Sequence, residues 1–243
     1  MMFLAIDIGN TNISCGIFEE ERLVSSFSFP TKEWNRLFER VSNKVKAVCI
    51  SSVVPSVTQS IIDEVKGLGI SLYFVSPDDI ETDLLYPKQI GQDRIANVLA
   101  AKNLYQPPVI IVDFGTATTF DVISKDGVYL GGAIAPGIEI SFSALIEMCE
   151  LLSKIELKPP RVCIGKDTEQ ALLSGVFYGF SAQVDGMVRR IKEELGSEAM
   201  VIGTGGISSL ISNFCEELDE INPHLTLYGL MWVYKKRGNT LVI

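Results

Sequence analysis

Short apolar runs that end at turn residues divide the first hundred positions of the chain into predicted strands. Apolar residues alternating with small polar ones predict a half-buried strand, and a continuous short apolar run predicts a buried one. Five strands are predicted, over residues 2–8, 13–18, 23–29, 46–54 and 71–75. Helical spacing predicts helices over residues 33–44, 56–68 and 93–104, with Ser56 as the N-cap of the second.

The opening pattern returns after Pro107-Pro108. Strands are predicted over residues 109–112, 120–124, 128–134 and 200–202, and helices over residues 138–153, 168–195, 207–218 and 226–236. The run Asp7-Ile-Gly-Asn-Thr11 ends the first strand of the chain, and Asp113-Phe-Gly-Thr-Ala117 ends the first strand after the prolines. Such self-similarity indicates an internal repeat. We therefore expect an α/β protein of two duplicated halves, residues 1–108 and 109–243.

The composition excludes several classes of function. Thirty acidic and 21 basic residues give a net charge of −9, which disfavours nucleic acid as a partner because that affinity depends on Lys and Arg neutralising phosphates. The short basic run Lys235-Lys236-Arg237 is interpreted as a solvated surface patch. The single histidine, His224, excludes zinc sites with several histidines and is interpreted as structural.

Cysteine usage and hydropathy bear on where the protein works. Five cysteines, none at CxxC spacing, lie among apolar neighbours, as Cys49 does. This favours buried reduced thiols over disulfides or a metal site. No apolar stretch reaches the roughly 18 residues of a membrane span, and the first residues do not resemble a signal peptide. We expect a cytoplasmic protein with no membrane partner.

The two Asp-x-Gly turns carry residue types that suit phosphate binding. Glycine allows a tight turn whose N–H groups can face an anion, and an Asp can hold a metal ion that neutralises phosphate charge. One such turn is more often an ordinary hairpin, whereas two matched turns favour loops that clamp a polyphosphate from both sides. The cluster Gly203-Thr-Gly-Gly206 fits neither a Rossmann nor a P-loop fingerprint. We expect Gly203 and Gly205 at the adenosine end of a nucleotide.

These motifs resemble, in their order, those of the type III pantothenate kinases, members of the acetate and sugar kinase, Hsp70 and actin superfamily. The specific part is Gly91-Gln-Asp-Arg94 together with Asp113-Phe-Gly-Thr-Ala-Thr-Thr119. Weaker elements cover nearly the whole chain: Asp7–Asn12, Asp121, Gly131–Gly137, Gly165, Thr168, Ser174-Gly175, Gly203–Gly206 and Leu225–Leu230. The tyrosine of the family's Tyr-x-Asn-Pro run is shifted here by two positions, to Tyr86.

The resemblance implies an actin-like ATPase fold, with two ribonuclease H-like halves and an ATP cleft between them. It also implies ATP-dependent phosphorylation of pantothenate, the first step of coenzyme A synthesis, with Mg²⁺ and a monovalent cation, K⁺ or NH₄⁺, as cofactors. Asp93 would be the general base, and Asp113 would bind the monovalent cation. The residues implied to contact pantothenate are Gly91, Gln92, Asp93, Arg94 and, from the neighbouring subunit of a homodimer, Thr168. Those implied to contact ATP are Asp7, Ile8, Gly9, Asn10, Thr11, Asn12, Ile13, Ser14 and Thr116.

Several alternatives stay open at this stage. Asp93 could be an ordinary helix N-cap, a position that Asp favours. The small residues Gly175, Gly179, Ala182 and Gly186 lie on one face of the predicted helix 168–195, where they could pack within the subunit or form a dimer interface. Each helical Gly costs up to about 1 kcal/mol relative to Ala, so close packing of one kind or the other must offset that cost. The family resemblance favours the interface, because it implies a site shared between subunits.

The fold could also serve other functions. A kinase for another small hydroxylated substrate, a phosphatase of polyphosphates and a non-catalytic nucleotide-binding regulator are the alternatives. The intact Gly91–Arg94 element and the two complete Asp-x-Gly turns argue against them.

Overall fold

The structure, a computed structural model, describes residues 2–39, 41, 44–149, 152 and 155–238. It divides the chain into two units, one formed by the residues up to 104 and from 224 onward, the other by residues 105–223. The division expected from the sequence repeat, at residue 108, differs from this at the C-terminal helix. That helix belongs to the first unit because it packs on the first sheet, where Tyr234 stacks on Phe3 with ring centroids 4.5 Å apart.

Ten strands and six α-helices are assigned within the described residues. The strands are β1 (Met2–Ile8), β2 (Asn12–Glu19), β3 (Arg22–Pro30), β4 (Val45–Ser52), β5 (Ser71–Phe74), β6 (Val109–Phe114), β7 (Ala117–Ile123), β8 (Tyr129–Pro136), β9 (Met200–Thr204) and β10 (Glu220–Ile221). The helices are α1 (Pro55–Gly67), α2 (Gln92–Leu104), α3 (Ile138–Met148), α4 (Thr168–Leu195), α5 (Ser208–Ile211) and α6 (Leu225–Gly238).

The two sheets have the same topology. The first has the strand order β3-β2-β1-β4-β5 and the second β8-β7-β6-β9-β10. In each, the first three strands form an antiparallel meander, and the last two run parallel to the first strand of that meander. The duplication expected from the two Asp-x-Gly turns is therefore confirmed at the level of strand order and direction.

In both units, the alternation of side chains along a strand places the core residues and the turn aspartate on opposite faces of the sheet. In β1, Leu4, Ile6 and Ile8 point into a buried cluster that includes residues of α1. In β6, Ile110 and Val112 do the same against α4. Successive side chains on a strand point to opposite faces. The intervening Asp7 and Asp113 therefore project from the other face of their sheets.

Some predicted helices are shorter than the sequence pattern indicates. Residues 31–37 form a 3-10 helix in place of the helix predicted over 33–44, of which residues 40, 42 and 43 lie outside the described part. The helix predicted over 138–153 ends at Met148. Residues 150, 151, 153 and 154 lie outside the described part of the chain. The helix predicted over 207–218 is limited to α5 and a 3-10 turn, Ser212–Phe214, because the chain then forms the short strand β10.

Two further expectations need correction. Ser56 does not cap α1, which begins at Pro55, a residue suited to the first helical position because it has no N–H to satisfy. The basic run 235–237 is not simply a solvated patch. Arg237 donates from Nε and Nη2 to the buried carboxylate of Asp79 at 2.9–3.1 Å, and Lys235 is paired with Glu21.

The cysteines are free thiols but not all of them are buried. Cys15 and Cys49 are completely buried, as predicted, and burial raises the pKa of both thiols. Cys215 is partly buried, and desolvation followed by the charge of Asp185 raises its pKa to about 12. Cys163 is exposed in the segment before α4, which contradicts the prediction. Within the described residues, the helices are too short or too polar to cross a bilayer.

Candidate active site

The first Asp-x-Gly turn has a shape fixed by hydrogen bonds. The Gly9 N–H donates to the Asn12 carbonyl oxygen at 3.0 Å. Thr31, just after β3, donates from its hydroxyl to the Gly9 carbonyl at 2.7 Å and from its N–H to the Thr11 carbonyl at 2.9 Å. The exposed side chains of Asn10, Thr11 and Asn12 are therefore presented on a braced backbone. No local sequence motif marks Thr31 for this role, since it lies 22 residues from Gly9.

Some of the first-turn residues implied to contact ATP have side chains that cannot reach a ligand. Ile8 and Ile13 face each other in register and are completely buried in the core, so only their backbone could contact a ligand. Ser14 lies opposite Asp7 across β1 and β2, and both are half-buried. Ser14 is therefore beside the turn carboxylate.

The second turn repeats this construction. The Gly115 N–H donates to the Ala117 carbonyl at 3.1 Å, and the Gly137 N–H donates to the Thr116 carbonyl at 3.1 Å. Gly137 follows β8 as Thr31 follows β3, and both third strands end in proline. A Cβ on Gly137 would lie 2.3 Å from the Thr116 carbonyl oxygen. This close approach requires glycine and keeps Thr116 at the exposed tip of the turn.

Of the two glycines in the Gly203–Gly206 cluster that are predicted to contact the nucleotide, one borders the second turn. Gly205 has φ +94°, and a Cβ there would lie 2.5 Å from the Asp113 Oδ1 atom. Gly203 packs inside the sheet, where a Cβ would lie 2.5 Å from Ile221 Cδ1. The structure therefore places Gly205 next to the Asp113 carboxylate, whereas Gly203 serves packing between β9 and β10.

The start of α2 is held at the same sheet edge as the first turn. The Gln92 side-chain oxygen accepts the N–H of Ser52, the last residue of β4, at 2.9 Å. Ser52 lies in register with Ile8 on the parallel strand β1, so the hydrogen bond fixes the start of α2 near the Asp7 turn. Asp93 lies within the first turn of α2, and its Oδ1 atom accepts the N–H of Arg94 at 2.8 Å. Asp93 is therefore inside the helix rather than at an N-cap before it.

Thr168 stands apart from these groups. It is the exposed first residue of α4, whose N-cap Asp167 accepts the Gln170 N–H at 2.8 Å. The α4 helix packs on the sheet face opposite to the one that carries Asp113. Within their unit, Thr168 and Asp113 therefore lie on opposite sides of the sheet.

The donor sets at the two aspartates fit hard cations, which prefer oxygen ligands. Each half-buried carboxylate has a buried hydroxyl opposite it on the neighbouring parallel strand, Ser51 for Asp7 and Thr204 for Asp113. The described residues contain no group of three His, Cys, Asp or Glu that could hold a metal ion. A cation at either place would therefore be held by one protein carboxylate together with neutral or ligand-derived oxygens.

The two sheets of the same strand order define an α/β protein with a duplicated, actin-like fold. Solved structures agree with this fold: a ROK family glucokinase from Streptomyces griseus, in complex with glucose and AMPPNP, is similar with TM-score 0.59 and 11% identity, over 97% of this chain and all of that one. A Baf family transcriptional activator from Campylobacter jejuni has TM-score 0.66 and 21% identity, over 97% and 99% of the two chains. At these identities the likeness concerns the fold alone.

Sequence comparison identifies the family. The family model for type III pantothenate kinase matches residues 3–190. A type III pantothenate kinase from Frankia alni is 42% identical, and one from Moorella thermoacetica 40% identical, each over 97% of this chain and 99% of its own length. The chain belongs to the type III pantothenate kinase family, as the motif resemblance indicated.

Proposed function

We propose that this enzyme transfers the γ-phosphoryl group of ATP to pantothenate, giving 4′-phosphopantothenate in the first step of coenzyme A synthesis. The observation that carries the proposal is the hydrogen bond from Ser52 to Gln92, which holds Asp93 at the edge of the sheet where the Asp7 turn lies. No observation favours another substrate, a phosphatase or a non-catalytic regulator.

Asp93 acts as the general base. Its carboxylate accepts the proton of the primary hydroxyl of pantothenate as that oxygen attacks the γ-phosphorus. The new O–P bond forms while the bond from the γ-phosphorus to the bridging oxygen breaks, and ADP leaves. Phosphoryl transfer depends mainly on positioning and charge neutralisation. The hydrogen bond that attaches α2 through Gln92 therefore contributes to catalysis by positioning Asp93. Gly91 and Arg94, on either side of the base, contact the substrate.

The nucleotide is bound chiefly by backbone N–H groups and short polar side chains. In the first unit these belong to the Asp7–Ser14 turn, with Ile8 and Ile13 contributing backbone only. In the second unit Thr116 and Gly205 contribute, and Gly203 has a packing role. Glycine-rich turns suit this task because they let a phosphate approach the backbone closely.

Two cations complete the proposed site. Mg²⁺ would be held near Asp7 and K⁺ or NH₄⁺ near Asp113, and their positive charge offsets that of the phosphates. The protein itself carries a net charge of −9, so anionic substrates need such local compensation. Nucleic acid is not a partner in this proposal, and the enzyme works in the cytoplasm.

The second pantothenate contact, Thr168, comes from the partner subunit of a homodimer. On α4, Gly175, Gly179 and Ala182 are exposed, and a Cβ at either glycine would meet no described atom within 4 Å beyond its chain neighbours and the backbone of α4 itself. Packing within the subunit therefore does not explain these glycines. Ile140 and Met148 on the adjacent α3 are also exposed, which supports an apolar interface.

A kinase assay tests the main proposal. The purified protein with ATP, Mg²⁺, K⁺ and pantothenate is expected to release ADP and to yield 4′-phosphopantothenate by mass spectrometry. Asp93→Asn is expected to lower kcat by about 10²–10⁴-fold while ATP binding, measured by calorimetry, is retained. Asp63→Asn, at an exposed position on α1, is the matched control and keeps normal turnover. A folded dimer that forms no phosphorylated pantothenate would refute the proposed function.

The dimer has its own test by sedimentation. Gly179→Arg is expected to convert the dimer into monomer, because a long charged side chain cannot enter a closely packed interface. Glu193→Arg, on the exposed surface of the same helix, is expected to leave it dimeric. A Gly179→Arg protein that sediments as a dimer would place the interface elsewhere.

A further inference from the structure

Two buried hydroxyl groups lie beside the turn aspartates without a role in the proposed mechanism. Ser51 and Thr204 are at most 1% exposed, and their hydroxyls make no hydrogen bond with any described part of the chain. A buried polar group without a partner costs about 1–3 kcal/mol, and native proteins contain few of them. These two positions therefore require a physical explanation.

The two hydroxyls occupy equivalent positions in the two units. Ser51 on β4 lies in register with Asp7 on the parallel strand β1, and Thr204 on β9 lies in register with Asp113 on β6. Residues in register on neighbouring strands project from the same face of a sheet. Each hydroxyl thus shares a face with a turn carboxylate, and the repetition indicates that the duplicated fold preserves this pairing.

The surroundings of Thr204 resemble a built ligand site. The next residue, Gly205, brings its backbone so close to Asp113 that a Cβ would lie 2.5 Å from Oδ1. On the other side of Asp113, the Thr119 hydroxyl already donates to Asp121 Oδ2 at 3.4 Å. Thr204 therefore flanks the carboxylate with an oxygen that no described protein group uses.

We propose that the Thr204 hydroxyl oxygen and the Asp113 carboxylate together ligate the monovalent cation. The inference rests on the proposed function, which places that cation at Asp113. One carboxylate with a neutral hydroxyl gives a site of single negative charge, matched to a single positive charge. Neutral oxygen dipoles are suitable ligands for K⁺, as the carbonyl rings of potassium channels show. Binding also accounts for the buried hydroxyl, because the cation becomes the partner of its oxygen.

The test measures cation binding through thermal stability. Melting temperature is followed against K⁺ concentration, with choline chloride keeping ionic strength constant, in the presence of Mg²⁺ and a non-hydrolysable ATP analogue. Thr204→Val is expected to raise the half-saturating K⁺ concentration by about tenfold or more, the scale of losing a group that supports a metal site. Thr204→Ser keeps the hydroxyl and is expected to stay near the wild-type value.

A matched control comes from the same sheet. Thr118 is also buried with a hydroxyl that has no described partner, but it lies in register with Phe114 on the opposite face. Thr118→Val is expected to leave the K⁺ response unchanged. In K⁺-free buffer, Thr204→Val should be at least as stable as wild type, because it removes an unsatisfied buried group. The melting temperature of Thr204→Val should fall below that of wild type only as K⁺ is added.

The outcomes separate this inference from the proposed function. A wild-type protein with no K⁺-dependent shift would refute both the cation at Asp113 and the role of Thr204. If Asp113→Asn abolishes the shift while Thr204→Val responds like wild type, the cation site stands and the role of Thr204 is refuted. Should Thr204→Val fail to fold, Thr204→Ala is measured in the same way, and a wild-type response in that variant counts equally against the proposal.

Discussion

Replacing Gly229 by alanine is expected to disrupt the packing that supports the start of α2. A Cβ at position 229 of α6 would lie 2.0 Å from the carbonyl oxygen of Ala96 in α2, and 2.4 Å from its carbonyl carbon. The two helices would have to separate by roughly 1.4 Å to restore an ordinary contact of 3.4 Å. The obstacle is backbone, so rotation of a side chain cannot relieve it.

The cost can be estimated from two opposing effects. Overpacking a core typically costs about 1–3 kcal/mol, and a clash with backbone belongs at the upper end. Alanine recovers at most about 1 kcal/mol of helix propensity. The expected loss for Gly229→Ala is thus about 2 kcal/mol, or roughly 4–8 °C in melting temperature for a chain of this size. Because α2 carries Asp93, kcat is expected to fall as well.

Urea unfolding followed by circular dichroism measures this loss. The matched control is Gly67→Ala at the end of α1, where an added Cβ would meet nothing within 4 Å beyond its chain neighbours and the backbone of its own helix. That variant is expected to be as stable as wild type or more stable, by up to about 1 kcal/mol. If Gly229→Ala unfolds at the same urea concentration as wild type, the close packing of α6 on α2 is refuted.

Three other substitutions test separate contacts. Gln92→Leu removes the acceptor that holds the start of α2, and we expect kcat to fall about tenfold in the kinase assay with a stability loss of only about 1 kcal/mol. Arg237→Met leaves the buried Asp79 carboxylate without its cationic partner. Urea unfolding should show that the free energy of unfolding falls by about 2–3 kcal/mol, which is less than for a completely buried ion pair because Arg237 is partly exposed. Glu217 has a pKa lowered by its hydrogen bond with Lys192, so its stabilisation is present above the unfolded-state pKa and is lost as pH falls through the lower folded-state pKa. Glu217→Gln should flatten the acid side of the stability profile between about pH 5 and 3, and an unchanged profile would contradict this.

The elements that sequence predicted best are those determined by local pattern. Each meander is visible as apolar runs separated by short turns, three of which contain Gly, and the strands predicted to begin at Met2 and Val109 are both confirmed. The helix predicted from Glu33 is wrong because apolar spacing alone does not distinguish an α-helix from a short, kinked 3-10 helix. The strand β10 has only two residues, and no periodicity can be read from so few.

The supporting contacts of the site depend on residues far apart in sequence. Ser52 and Gln92 are separated by 40 positions, and Thr31 braces Gly9 from 22 positions away. Local propensity contains no information about either pairing. Ser51 and Thr204 could have been found by pairing the two halves of the repeat, since each comes near the end of the strand parallel to a turn strand.

The inclusion of α6 in the first unit has a consequence for biosynthesis. A ribosome releases the chain from its N-terminus, so residues 2–104 emerge long before the helix that covers one face of their sheet. The whole of the other unit is contiguous and is complete in the nascent chain before α6 leaves the exit tunnel. The half made first is therefore the half that finishes folding last, and a stalled or truncated chain that lacks its final twenty residues would expose the apolar surface around Phe3 to chaperones and proteases.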